Sequence, residues 1–191
     1  MPKRNLMREI IKGDDLQDRI QSGVDYIYEV ALASYGVNSG DVMIEHRYGE
    51  PLISHDGITN IGKLVIEDPI ENAAVSVIRQ ASEKTNRDAG DSTTLTVVLA
   101  KLAYDYWRGQ GLTPRQTKMA MLAYAESIRE SIAKNKLKVT DETLAGVARI
   151  SAGDEALGAL VFDAVNTVGE RGGITVVEVA EPTISSETID G

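Results

Sequence analysis

The sequence predicts a mainly α, multihelical fold with one small β-hairpin, followed by a smaller part of α+β character. Three observations predict it. Apolar residues recur three and four apart through the first two thirds of the chain, the period of a helix with one face turned to a core. Proline, threonine, aspartate and glycine punctuate that pattern where helices start and stop. Two short apolar runs, Val42-Met43-Ile44 and Pro51-Leu52-Ile53, are bounded by glycine and charge and have the length of strands.

In chain order, Ile20, Val24, Ile27, Tyr28 and Ala31 share one face, so residues 16–33 read as a core-facing helix. The hairpin turns around Arg47-Tyr48-Gly49, which puts Asp56 just past a strand end. Residues 69–87 and 93–108 read as two more helices. The second carries Val97, Val98, Ala100, Leu102 and Tyr106 with little polarity on its early turns, which predicts burial. Gly109-Gln110-Gly111 ends it. Thr113 caps the next helix, Pro114 takes its tolerated first position, and Met119, Leu122, Ala123, Ile128 and Ile132 supply its buried stripe. The texture changes over Lys134-Asn135-Lys136 and Val139-Thr140-Asp141, so the chain is expected to divide into domains at residues 1–136 and 137–191. Helices at 141–149 and 154–168 follow. Gly172-Gly173 then turns the chain into a β-branched run at 174–179, a predicted strand with which 184–189 can pair.

Composition narrows the function. With 29 acidic against 20 basic residues and a net charge of -9, the chain lacks the concentrated positive field that nucleic acid requires. There is no cysteine, hence no disulfide and no thiolate metal site, and two histidines are too few for a zinc cluster. The opening residues lack a signal-peptide core, and no run approaches the ~18 apolar residues of a membrane span. A soluble, cytoplasmic protein without a membrane partner is expected.

The chemistry concentrates in Asp88-Ala89-Gly90-Asp91-Ser92-Thr93-Thr94. Gly90 lets the backbone turn sharply, and the first amides of the helix that follows have no internal partners and can face an anion. Ser92, Thr93 and Thr94 add hydroxyl donors. Asp91 makes sense beside phosphate only with a hard cation between them, which points to a magnesium nucleotide. The same residues also describe an ordinary capped helix start. A second acid-bearing turn, Ser54-His55-Asp56-Gly57, stands upstream and by itself reads as an ordinary Asp-Gly turn.

Together these turns resemble the group I chaperonins, the GroEL type. Further segments in matching order are Ile66-Glu67-Asp68-Pro69-Ile70-Glu71-Asn72, Arg149-Ile150-Ser151-Ala152 and the run from Val168 to Val176, so the resemblance covers nearly the whole chain. It implies a helical equatorial domain that binds ATP (residues 1–136), then the first part of an intermediate domain (137–191) ending near a hinge to an absent apical domain. It implies that Asp91 ligates Mg2+, that Gly90, Ser92, Thr93 and Thr94 hold phosphate, that Ser34 and Gly36 form a further nucleotide contact, and that Asp56 directs the attacking water. It implies a subunit of a homo-oligomeric ring that folds unfolded polypeptide clients with a co-chaperonin, both engaged through the absent apical part, and it implies that this chain is an N-terminal fragment unable to hydrolyse ATP alone.

The departures from the family pattern are specific. Tyr35-Gly36-Val37-Asn38-Ser39 replaces a Leu-Gly-Pro-Lys-Gly loop, His55 replaces a lysine, Ser92 a glycine and Leu95 a threonine. They leave open a non-catalytic binding or assembly module that keeps the chaperonin fold.

Overall fold

The computed structural model describes residues 10–36, 39–45, 50–169, 172–177, 179–180 and 184–189. The chain divides into two compact units, Met1–Met121 and Leu122–Gly191.

The first unit is built on α1 (Asp14–Ala33), α3 (Pro69–Ala89) and α4 (Thr93–Arg108), joined by the hairpin β1 (Val42–Ile44) and β2 (Leu52–Ser54) and by the short α2 (Gly57–Lys63). The strands are antiparallel, with Met43 opposite Ile53. The expected hairpin turn at Arg47-Tyr48-Gly49 lies outside the described residues. The helical period places Val24, Ile27 and Ala31 of α1, Val75 and Ile78 of α3, Val97 of α4 and Ile61 of α2 in one apolar cluster, and Ile27, Ala31, Ile61, Val75 and Val97 are fully shielded from solvent. Burying a branched aliphatic side chain contributes about 1.5–3 kcal/mol, so these few positions dominate the stability of the unit.

Two local devices set the helices in place. Gly23 lets α1 approach the backbone of α3, because a methyl there would lie 2.4 Å from the Glu71 carbonyl oxygen. Asp68 caps α3: its Oδ1 accepts from the amides of Ile70 (2.8 Å) and Glu71 (3.0 Å), and its Oδ2 accepts from Arg19 Nη1 (2.7 Å), which ties the start of α3 to α1. Pro69 in the first turn adds its preset φ.

Helix α5 (Pro114–Asn135) starts at the reciprocal bonds of Thr113 and Gln116, whose Oε1 accepts from the Thr113 amide at 3.0 Å. In the second unit, α6 (Asp141–Ala152) opens on a Thr140–Thr143 capping box and closes on the left-handed Gly153, and α7 (Glu155–Val168) opens on Asp154. Gly158 of α7 sits against the backbone of Arg149.

Three expectations require correction. Helix α4 is not buried all round: Val97 is, but Leu102 and Tyr106 are 54% and 60% exposed. The apolar stripe of α5 is likewise uncovered, since none of its residues is buried. An apolar period tells which face seeks cover and does not supply the cover. Residues 172–177 and 184–189 are irregular, without the expected strand. β-branched side chains favour a strand only where a neighbour completes the ladder.

Candidate functional site

The proposed phosphate loop is the link between α3 and α4. Gly90 closes α3 in the left-handed conformation (φ 73°), its amide donating to Asn86 O at 2.8 Å. Ser92 follows, also left-handed at φ 66°, and is the one non-glycine residue with positive φ among the described residues. A side-chain cap needs an extended backbone at this position, so Ser92 makes no capping bond. The amides of Thr93, Thr94 and Leu95 consequently meet no acceptor among the described residues, and Thr96 is the first whose N–H is returned, to Ser92 O at 3.0 Å. An ordinary capped helix start would have consumed one of them; this one leaves all three donors without an acceptor among the described residues. Asp91 is exposed, its Oδ1 accepting only the neighbouring Ser92 amide.

The loop is held from behind. Ser82, fully buried on α3, donates to the Thr93 carbonyl at 2.9 Å, and Thr96 Oγ1 donates to Ser92 O at 2.8 Å and lies 3.1 Å from Thr85 Oγ1.

Asp56 follows β2 and is the N-cap of α2. Its Oδ2 accepts from the Thr59 amide (3.1 Å) and the Thr59 hydroxyl (2.6 Å), while its own amide donates to Ser54 Oγ at 3.1 Å. The carboxylate is thereby oriented through one oxygen. His55, 87% exposed at the side chain, stands with Nδ1 3.7 Å from Asp41 Oδ1, so it is a solvent-facing turn residue.

Gly57 brings the separate segments together. A methyl on it would stand 2.1 Å from Thr94 Oγ1 and 3.7 Å from Ser34 Oγ. Ser34 at the end of α1, the Asp56-Gly57 turn and Thr94 at the start of α4 thus converge on one point. Ser34 Oγ is itself buried and has no hydrogen-bond partner among the described residues. A buried, unpaired hydroxyl near the same Gly57 position as the Thr94 hydroxyl fits a ligand that brings acceptors, as phosphate does. Gly36 holds φ 89°, a conformation that requires glycine, with open space at its Cβ position. Residues Val37 and Asn38 of that loop lie outside the described residues.

At the loop between α3 and α4 the exposed carboxylate without a cation partner among the described residues is Asp91, and no cluster of three or more metal-ligating side chains occurs among the described residues. That donor set fits Mg2+ shared with phosphate oxygens and water, and does not fit a cation held by protein alone. Sequence reading missed Gly57 as a contact residue, the helix α2 itself, and the supports Ser82 and Thr59. The Asp-Gly pair and Ser82 at helical spacing from the loop were the only signals for them.

A model of the TCP-1/cpn60 chaperonin family matches residues 27–191. Among solved structures, the fold is similar to the chaperonin gp146 from the bacteriophage EL 2 (Pseudomonas aeruginosa) in the presence of ATP-BeFx, crystal form II, at TM-score 0.72 and 23% identity over 85% of this chain and 29% of that one. Crystal form I of the same chaperonin matches at TM-score 0.70 and 22% identity, over 82% of this chain and 29% of that chain. A group III chaperonin in the open state matches at TM-score 0.68 and 25% identity, over 82% of this chain and 32% of that one. The chain thus spans about a third or less of the length of these structures.

Proposed function

This chain belongs to the TCP-1/cpn60 chaperonin family, and from that premise we propose that it carries the phosphate-binding and water-directing part of the ATP site of a cytoplasmic, ring-forming chaperonin that folds unfolded polypeptides, with a co-chaperonin as partner. Residues 1–136 are then the first part of the equatorial domain and 137–191 the first part of the intermediate domain. The single observation that supports the reading most is the convergence of Ser34, Gly57 beside Asp56, and Thr94 on one point. The similar chaperonin gp146 was crystallised in the presence of ATP-BeFx, which supports a nucleotide as the ligand.

In this reading the amides of Thr93, Thr94 and Leu95 and the hydroxyls of Ser34, Ser92, Thr93 and Thr94 hold phosphate oxygens, and Gly36 and Gly90 keep the backbone close to them. Asp91 would hold Mg2+, which neutralises charge on the β and γ phosphates. Asp56, held by Thr59 through Oδ2, orients the attacking water. Phosphoryl transfer needs positioning and charge stabilisation more than covalent help, so this division of two carboxylates suffices.

Calorimetric titration of ATP with and without Mg2+, on this protein and on Asp91→Ala, tests the reading. Metal-dependent binding that Asp91→Ala weakens at least about tenfold, roughly 1.4 kcal/mol, is expected. Binding indifferent to the substitution would defeat the metal assignment. Absence of any nucleotide binding or hydrolysis by the intact protein would favour the non-catalytic assembly module.

A further inference from the structure

The helix that carries Asp56 is too short to hold itself in place. α2 has seven residues, Gly57–Lys63, a length of about 10 Å, well below what an isolated helix needs for stability. Its position therefore comes from its attachments. Ile61 sits in the apolar cluster, and Gly57 abuts Thr94 at the N-terminal end. An apolar contact in mid-helix resists lateral displacement and resists sliding along the axis much less, because such contacts are non-directional.

The C-terminal end of α2 has a directional attachment. Its last carbonyls lack partners within the helix. Arg79, from the middle of α3, donates through Nε to the Ile61 carbonyl at 3.1 Å and through Nη2 to the Leu64 carbonyl. The guanidinium thus spans the end of α2 with two bonds of fixed relative geometry, and its charge complements the negative end of the helix dipole. The same helix α3 runs on to Ser82, which holds the Thr93 carbonyl, and to Gly90, which opens the phosphate loop. One rigid rod therefore grips the far end of α2 and the base of the loop.

We propose that Arg79 is a positioning residue of the site: by clamping the C-terminal end of α2 to α3, it fixes how far the Asp56 carboxylate stands from the Thr93 and Thr94 hydroxyls. Any slide of α2 carries Asp56 with it, since the helix moves as one piece. The inference rests on the nucleotide reading of the site, with Asp56 directing water. Arg79 touches no reacting atom and acts through α2 alone.

The test compares ATP affinity, by calorimetry, with steady-state phosphate release in the intact, assembled protein, for Arg79→Met, Arg79→Lys, Asp56→Asn and the pair Arg79→Met with Asp56→Asn. Arg79→Met should keep the ATP Kd within about twofold and lower kcat roughly ten- to a hundredfold, the usual cost of misplacing a reacting group by an ångström or less. Arg79→Lys should recover part of the loss, because one ammonium can reach only one of the two carbonyls. In the Asp56→Asn background, Arg79→Met should remove nothing further, since both changes act on the same step. An unchanged kcat, an equal loss in both backgrounds, or a parallel collapse of Kd and kcat would each overturn the assignment. If Arg79→Met does not fold, Arg79→Lys in the two Asp56 backgrounds gives the same comparison. Full hydrolysis by Asp56→Asn would overturn the role of Asp56 and this inference with it, whereas a dead Asp56→Asn beside a fully active Arg79→Met removes the inference alone.

Discussion

At the scale of single residues, Ser92 carries a local conformational cost. A non-glycine residue in the left-handed region costs about 1–2 kcal/mol, and Ser92 recovers none of it through a capping bond. Glycine would relieve that strain and give back about 0.4–1 kcal/mol in unfolded-chain entropy. Ser92→Gly should therefore stabilise the protein by roughly 0.5–1 kcal/mol, read from the denaturant midpoint; a lower midpoint would show that the serine makes a contact that offsets its conformation. The sequence exposed this position, because the resemblance places a glycine there. It did not expose Gly57, whose importance lies in the 2.1 Å that separates a hypothetical methyl from Thr94, a relation between residues far apart in the chain.

At the scale of elements, capping and clamping decide what periodicity leaves open. Helices α1, α3 and α4 were legible because each repeats an apolar face over four turns or more. Helix α2 was not legible: seven residues containing two glycines have neither period nor propensity, and the Asp56 cap, the burial of Ile61 and the Arg79 bonds hold the helix. The start of α3 offers a test through pH. The amide of Glu71, with that of Ile70 and the Arg19 guanidinium, holds the Asp68 carboxyl below its ordinary value of 3.8 despite some opposing desolvation. A depressed carboxylate pKa contributes stability that is fully present above the ordinary value and lost as the pH falls through the folded value. Asp68→Ala should lower Tm by a few degrees at pH 7, and the gap to the unsubstituted protein should close as the pH drops below about 4. A gap that persists unchanged in acid would mean that the carboxylate charge is irrelevant to the cap.

At the scale of the whole molecule, the two units each have their own packed helices, while several apolar faces remain open to solvent. On α4, Leu95, Leu99, Leu102 and Tyr106 follow one another at helical spacing and are 36%, 56%, 54% and 60% exposed. Sequence periodicity found such stripes but gave them a core, because it records the demand for burial and carries no information about what meets it. Contiguous exposed apolar surface drives association, and a net charge of -9 opposes it only in part. The 191-residue chain alone should show an average mass that rises with concentration in light scattering, and Leu99→Glu with Tyr106→Glu should abolish the rise without lowering Tm. A monomer mass at all concentrations would contradict this.

The uncapped start of α4 has a consequence in exchange kinetics. An amide hydrogen trades with solvent deuterium when no acceptor holds it, and the Thr93, Thr94 and Leu95 amides have none among the described residues. At the equivalent turn of α7 one amide, that of Leu157, is bonded to Asp154 Oδ1 at 2.8 Å. The chain thus carries its own occupancy gauge and internal standard: an anion bound as proposed would slow deuterium uptake at the first turn of α4 and leave that of α7 unaltered, so occupancy would be readable without any turnover assay.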